Sequence, residues 1–331
     1  MTGGKGRDMT MRTGNPGSPG RAGRTRQGRA AAVALLVAGA GLLGAGSPQG
    51  AVLPAAAQAA PGADRVAPAA APDCDTSASV PASRADGPAV NAIKAKKNLV
   101  IGVDQNSFRW GARNPSTGEI EGFDIDLAKE IGTAVMGDAS KITLKAVPTA
   151  ERIKFIQEGK VDLIVRTMTI TCERMDQVAF SKPYFKTANR LIVPRTSPAK
   201  TFDEALKGRT ACAARSSSAE DELKTNPHGS KLVTVENQLD CLVLMQLGKV
   251  DATMTDDGLA AGQAAQDTTI RMLDEQVRPG VMGVAMKLGN TDLVARVNQV
   301  LADYQADGGW QASYEKWLKP TMHDEASRFL P

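Results

Sequence analysis

From residue 99 to residue 307 the chain repeats one unit, a short apolar run followed by a helix-length segment whose apolar residues recur at helical spacing. Residues 99–103 predict a buried strand. Residues 124–136 predict a helix with Asp124 as its N-cap and Ile125, Ala128, Gly132 and Val135 on one face. Strands over 142–147 and 161–165 flank a second helix that stops at Gly159. After a pause at 191–194 the pattern restarts, with strands at 210–213, 232–235 and 250–254 separated by helices at 217–224 and 238–247. Helices at 256–265 and 290–307 and extended segments at 270–273 and 281–286 complete it. Strands joined by crossover-length helices form mostly parallel sheets. Two such series predict an α/β protein of two lobes, with a ligand cleft at the strand ends. The expected organisation is residues 91–194 as the first lobe, 195–280 as the second, 281–319 returning to the first, and 320–331 as a tail. The hinge is expected near 193–198 and 279–283.

The opening of the chain is built differently. All seven phenylalanines, three tryptophans and three tyrosines lie at or after Phe108, while residues 1–90 hold nine of the 18 prolines and 15 of the 32 glycines. Such a segment buries too little apolar area to offset its ordering entropy. It also carries nine of the 40 Lys+Arg and only five of the 36 Asp+Glu, so the remainder is charge-balanced. These numbers give no support to a basic nucleic-acid-binding face on the folded part. Arg21, Arg24, Arg26 and Arg29 precede an apolar run at 30–46, and Ala57-Gln58-Ala59 follows. That order reads as a secretory signal with a basic extension over 1–59, then a disordered tether over 60–90. A retained membrane anchor is the alternative reading of the same run. The first cysteine, Cys74, is too far downstream for lipid anchoring, so the expectation is an exported, cell-surface protein.

The four cysteines, at 74, 172, 212 and 241, form no CxxC pair, and the only histidines are His228 and His323. No zinc site is expected, and two disulfides are. Three pairings are possible. Cys212–Cys241 joins a strand to a nearby helix, and Cys74–Cys172 would clip the leader onto the folded part; buried free thiols are the alternative for each. No GxSxG, GxxxxGK[ST], HExxH or GxGxxG stretch is present, so neither catalysis nor a cofactor is expected.

Several stretches occur in order across 99–318: Glu121-Gly-Phe-Asp-Ile-Asp-Leu-Ala-Lys129, Gly159-Lys-Val-Asp-Leu-Ile-Val165, Thr167-Met-Thr-Ile-Thr-Cys-Glu-Arg174, Phe180-Ser-Lys-Pro-Tyr184, Gly248-Lys-Val-Asp-Ala252, Thr255-Asp-Asp257, Asp307-Gly-Gly-Trp310 and Tyr314-Glu-Lys-Trp-Leu318. In these the chain resembles the polar amino-acid solute-binding proteins of bacterial ABC importers, with the type II periplasmic-binding fold. The resemblance runs to actinobacterial glutamine- and glutamate-binding members. One of them, mycobacterial and encoded beside a serine/threonine kinase, shares Asp73-Cys74-Asp75 and Cys172, which supports the Cys74–Cys172 bridge. What the resemblance implies is a monomeric, non-catalytic protein. It would bind a polar amino acid between its lobes and present it to an ABC permease or, alternatively, to a membrane sensor linked to a kinase. A dehydratase on the same fold is the remaining alternative.

An α-amino acid calls for a guanidinium on its carboxylate and a carboxylate on its ammonium. By resemblance, Arg174 is the carboxylate-binding arginine, Asp256 the ammonium-binding aspartate, and Thr167 and Thr169 supply hydroxyl or backbone contacts. Ser217 with Glu220 reads as a capping box, and the N–H groups of Ser217 and Ser218 could also hold the ligand carboxylate. The family usually has glycine where Ser216 stands. Arg152, accompanied by Thr149, occupies the position where acidic-amino-acid binders place an arginine; Arg166 and Arg215 add positive charge. Solvated surface arginines are the bland alternative. Asp104 stands where related glutamine binders contact the ligand amide, and it would repel an acidic side chain. Because the arginines outnumber that one carboxylate, the expected ligand is glutamate or aspartate before glutamine or asparagine.

Overall fold

The computed structural model describes residues 74–331, and the expected signal at 1–59 lies outside them. Two sheets organise the described chain. The first has the strand order Ile142–Ala146, Leu99–Val103, Leu163–Ile164, Ala285–Met286, Ala179–Phe180. Its first three strands are parallel, and Ala285–Met286 runs antiparallel to both of its neighbours. The second has Lys231–Val235, Thr210–Ala214 and Ala252–Asp256 in parallel. Phe185–Pro194 then pairs antiparallel with Ala252–Asp256, Ile270–Met272 and Val277–Met282.

Helix Phe123–Met136 covers the first sheet with the expected face, burying Ile125, Ala128, Gly132 and Val135 together with Phe123, Leu127 and Ile131. Its N-cap is Gly122, not Asp124. A Cβ on Gly122 would lie 2.5 Å from the backbone of Trp110, and its φ of 138° is closed to other residues, so glycine is required there. Helices Thr291–Ala306 and Gly309–Trp317 pack into the same core, where Trp310 donates to the Tyr184 carbonyl at 2.8 Å.

The lobe boundaries differ from those expected. Phe185–Pro194 and Val277–Met282 pair within the second sheet, although Phe185 and Met282 pack into the first-lobe core, so the chain crosses between sheets at Tyr184–Phe185 and Met282–Gly283. An apolar run such as Leu191-Ile192-Val193 satisfies either sheet equally. The ten-residue antiparallel pairing that commits it to the second sheet involves partners about 60 to 97 residues away. The tether is also more ordered than its composition suggested, at least from Cys74. Ser79 Oγ donates to Phe180 O at 2.9 Å, Asn298 Nδ2 donates to Val80 O at 2.7 Å, and Ser83 N donates to Ala295 O at 3.0 Å. Its small polar residues lie flat along the first lobe and satisfy backbone groups there. Helix Pro88–Ala95 then begins inside the span read as tether. The tail is likewise folded, with Phe329 buried and stacked on Phe185 at 5.1 Å.

Both expected disulfides form. Cys74 and Cys172 have Cα atoms 5.7 Å apart, and Cys212 and Cys241 have theirs 5.6 Å apart. The second bridge is fully buried and closes a 29-residue separation between strand and helix. Chain entropy then gives about 3.6 kcal/mol of stabilisation. Replacing both cysteines by alanine is expected to lower the unfolding free energy by that order in urea titrations. A loss under about 0.5 kcal/mol would refute the entropic account.

Candidate functional site

Every parallel strand ends at one narrow cleft between the lobes. Asp104 follows strand Leu99–Val103; Thr149 and Arg152 follow Ile142–Ala146; Arg166, Thr167 and Thr169 follow Leu163–Ile164. From the second lobe come Ala214, Ser217 and Ser218 after Thr210–Ala214, and Thr255 and Asp256 at the end of Ala252–Asp256. The carboxyl ends of parallel strands are where such sheets bind ligands.

Three arginines line this cleft, at 4%, 3% and 6% exposure for Arg152, Arg166 and Arg174, so none is a solvated surface residue. Arg174 sits on the single turn Cys172–Met175, capped by Thr171, whose Oγ1 accepts from Arg174 N. Its guanidinium donates to Thr169 O at 2.7 Å and to Ser216 O at 2.9 Å. Arg152 donates from Nε to Thr149 O and from a terminal nitrogen to the same Ser216 carbonyl, both at 3.0 Å. One carbonyl of the second lobe thus receives two guanidiniums of the first. Ser216 has φ 57°, the left-handed region that explains a family preference for glycine there, and serine adopts it.

Arg166 is spent differently. It pairs with Asp104 at 3.1 Å, with both side chains buried. Asp104 also accepts from Gln105 N, Asn106 N and Ser107 Oγ. All the capacity of Asp104 is therefore engaged inside the first lobe.

Residues 99–320 match the bacterial extracellular solute-binding proteins, family 3. The chain belongs to this family. The ABC transporter glutamine-binding protein GlnH of Bacillus subtilis (strain 168) is 33% identical over 228 residues, which span 69% of this chain and 84% of that one. A glutamine-binding protein of Geobacillus stearothermophilus is 36% identical over 183 residues, 55% of this chain and 70% of its own. Among solved structures, the solute receptor for L-cysteine of Neisseria gonorrhoeae superposes with a TM-score of 0.70 at 26% identity, covering 73% of this chain and 99% of that one. As a family 3 solute-binding protein the chain is a binder rather than an enzyme.

For a solute-binding cleft the remaining charge is informative. Asp256 is buried, and burial first, then the adjacent Asp257 charge, pushes its carboxyl up to about 7. Asn189 Nδ2 donates to it over a long 3.5 Å, and the Thr187 hydroxyl, which also serves Asp257, adds a hydrogen bond. It does not cap helix Asp257–Gln266 with its side chain. Asp257, the other residue that could have capped, accepts instead from Thr187 Oγ1 and Gly258 N at 2.8 Å each. Asp256 is left available to a cation in the cleft. Burial, followed by the charges of Arg174 and Arg166, lowers the Arg152 pKa well below its ordinary value; three guanidiniums crowd one another here.

Thr167 holds φ 41°, and its N–H donates to Asp124 Oδ2 at 2.8 Å. Asp124 also accepts from Tyr184 Oη at 3.0 Å and is fully buried, which pushes its carboxyl up to about 7. The residue expected as a helix cap is therefore the post that sets the threonine loop. Ser217 caps helix Ser218–Thr225 as expected, accepting from Glu220 N at 3.1 Å. The return bond of Glu220 goes to Ser216 N at 2.6 Å, one residue earlier than the capping box predicted. Ser218 Oγ is 3.5 Å from Thr169 Oγ1 across the cleft.

Arg215 does not join the others. Its side chain is 51% exposed and pairs with Glu236 on the surface, because Ala214 and Arg215 point to opposite sides where the strand ends. Ser107, Gln238, Thr255 and Leu259 line the cleft without having been singled out from the sequence. Of these, Thr255 belongs to the family stretch Thr255-Asp-Asp257, beside Asp256. Gln238 gave no local signal; it arrives by donating to Thr253 Oγ1 and accepting from Ala214 N.

Proposed function

We propose that this protein captures an acidic α-amino acid, glutamate or aspartate, and delivers it to an ABC permease after export. The charge inventory of the cleft carries this reading. Arg152, Arg166 and Arg174 face Asp104 and Asp256, and Asp104 is already engaged by Arg166. With Arg174 on the α-carboxylate and Asp256 on the ammonium, Arg152 remains for a side-chain carboxylate. A ligand of net charge −1 relieves the crowding of the guanidiniums, whereas an amide leaves it. Asp104, which by resemblance argued for an amide ligand, loses that force once it is neutralised in place. The names of the Bacillus and Geobacillus relatives favour glutamine as the second reading.

Calorimetric titration of the purified protein with L-glutamate, L-aspartate, L-glutamine and L-asparagine tests the choice. A charge-assisted bond exceeds its neutral counterpart by about 1–2 kcal/mol, so acidic ligands are expected to bind about tenfold tighter than their amides. Arg152→Gln is expected to weaken the acidic ligands and narrow that ratio. Glutamine binding as tightly as glutamate to the wild type would overturn the preference.

A further inference from the structure

The turn that carries Arg174 is too short to hold itself. Cys172–Met175 is four residues long, and an isolated helix needs about 12 or more to persist in water. Its inner side rests on Met175 and Val178, which pack with the cluster around Ile170 and Phe180. Its outer side is held by Cys74. The Cys74 sulfur is bonded to Cys172, the first residue of the turn, and lies 3.9 Å from the sulfur of Met175, the last. Arg174 is thus bracketed between the two residues that Cys74 touches.

Cys74 is itself on a short lead. Five residues later Ser79 is bonded to Phe180 O, and Asn298 of helix Thr291–Ala306 grips Ser79 Oγ at 2.9 Å and Val80 O at 2.7 Å. Ser83 N then bonds Ala295 O on the same helix, and Arg84 forks onto Asp303. Residues 74–84 form a strap from the arginine's turn to the long helix behind the first lobe. Neither Cys74 nor any other strap residue lines the cleft.

We infer that this strap is a positioning element for ligand binding, and that Cys74, through Cys172, fixes where the Arg174 guanidinium stands. The inference rests on Arg174 being the carboxylate-binding residue. Without the bridge the turn keeps its inner packing and its Thr171 cap, but it gains freedom along the direction in which the guanidinium must meet both Thr169 O and an incoming carboxylate. Misplacing a fork by about 1 Å forfeits much of its bonding, and an order of magnitude in affinity is the expected scale.

The test measures the Kd of L-glutamate and L-glutamine for the wild type, Cys74→Ser, Cys172→Ser, Arg174→Lys and the double variant Cys74→Ser with Arg174→Lys. Val135→Ala, a core truncation in helix Phe123–Met136, serves as a control that destabilises without touching the strap. Each serine variant is expected to weaken the better ligand roughly tenfold, while Val135→Ala leaves Kd within about twofold. In the Arg174→Lys background Cys74→Ser is expected to add little, because the positioned fork is already gone. Amide hydrogen exchange over 171–178 is expected to accelerate in Cys74→Ser and to stay unchanged in the second lobe. The inference fails if Cys74→Ser leaves Kd unchanged, if Val135→Ala weakens binding equally, or if the two substitutions act independently. An Arg174→Lys protein that binds as the wild type does, or a wild type that binds neither amino acid, sinks the underlying site assignment instead.

Discussion

Replacing Arg174 by alanine is expected to raise the Kd for the preferred amino acid at least a hundredfold, with the circular dichroism spectrum unchanged. The guanidinium is buried, and its two observed acceptors, Thr169 O and Ser216 O, come from opposite lobes. Alanine removes the cation from a ligand carboxylate that closure has already taken out of water. It also leaves those two carbonyls short of a donor. Stranding one member of a buried pair costs about 3–5 kcal/mol, which is about two to four orders of magnitude in Kd. Lysine keeps the charge but offers a point donor in place of a fork, so a loss of about tenfold is expected from Arg174→Lys. Arg152 supplies the internal comparison: it shares Ser216 O but belongs to the proposed side-chain pocket, so its loss should depend on which ligand is titrated. Arg174→Ala should weaken every amino acid alike. Unchanged calorimetric affinity in Arg174→Ala would remove the site assignment.

The two-lobed α/β fold was legible because its strands and helices are strongly periodic and its motifs keep their order. That Thr167, Thr169, Arg152, Arg174 and Asp256 come together at the cleft was legible only through the family resemblance, whose motifs locate them along the chain. What the sequence hid is pairing at a distance. Asp104 looked like a free carboxylate until Arg166, 62 residues later, was seen to occupy it. Arg215 looked like cleft charge because its neighbours are cleft residues, yet the alternation at the strand end turns it outward to Glu236. Asp124 looked like a cap, since helix starts favour aspartate. Only the folded chain brings Tyr184 and Thr167 to its two oxygens. The span 74–87 lacks any apolar pattern, and its order comes from one disulfide, the packing of Val80 and a few hydrogen bonds and an ion pair to the first lobe, which leave no periodic trace. The same limit applies to the lobe boundary, where ten residues of strand could have served either sheet.

Ligand affinity is expected to fall steeply below neutral pH, and Asp256 is the reason. Burial holds its carboxyl up at about 7, so near pH 6 the ligand-free protein carries it mostly protonated. An α-ammonium is held by the ionised form, and binding below pH 7 must therefore expel a proton. One pH unit corresponds to about 1.4 kcal/mol, giving close to a tenfold rise in apparent Kd per unit once the group is fully protonated in the free state, until it is protonated in the complex as well. The sign for stability is the opposite. A carboxyl raised from 3.8 in the unfolded chain to about 7 in the folded one favours the fold most below pH 4, where both states are protonated. That contribution is lost as pH rises from about 4 to about 7, and the ligand ammonium restores it. The ligand-induced increase in melting temperature should accordingly grow from pH 5.5 to 7.5. Asp124 titrates in the same window with the same effect on stability, but it is bonded to Thr167 and Tyr184 and does not line the cleft. Asp256→Asn separates the two. At pH 8 it is expected to bind at least tenfold more weakly than the wild type, because the ionic contact to the ammonium is gone. Its Kd should then stay nearly flat down to pH 6. Calorimetry at pH 5.5, 6.5, 7.5 and 8.5, repeated in buffers of different ionisation enthalpy, measures both the slope and the proton released. A flat wild-type profile would refute the role of Asp256 in holding the ammonium. A slope that survives in Asp256→Asn would assign the pH dependence to Asp124 and, through Thr167, to the shape of the threonine loop.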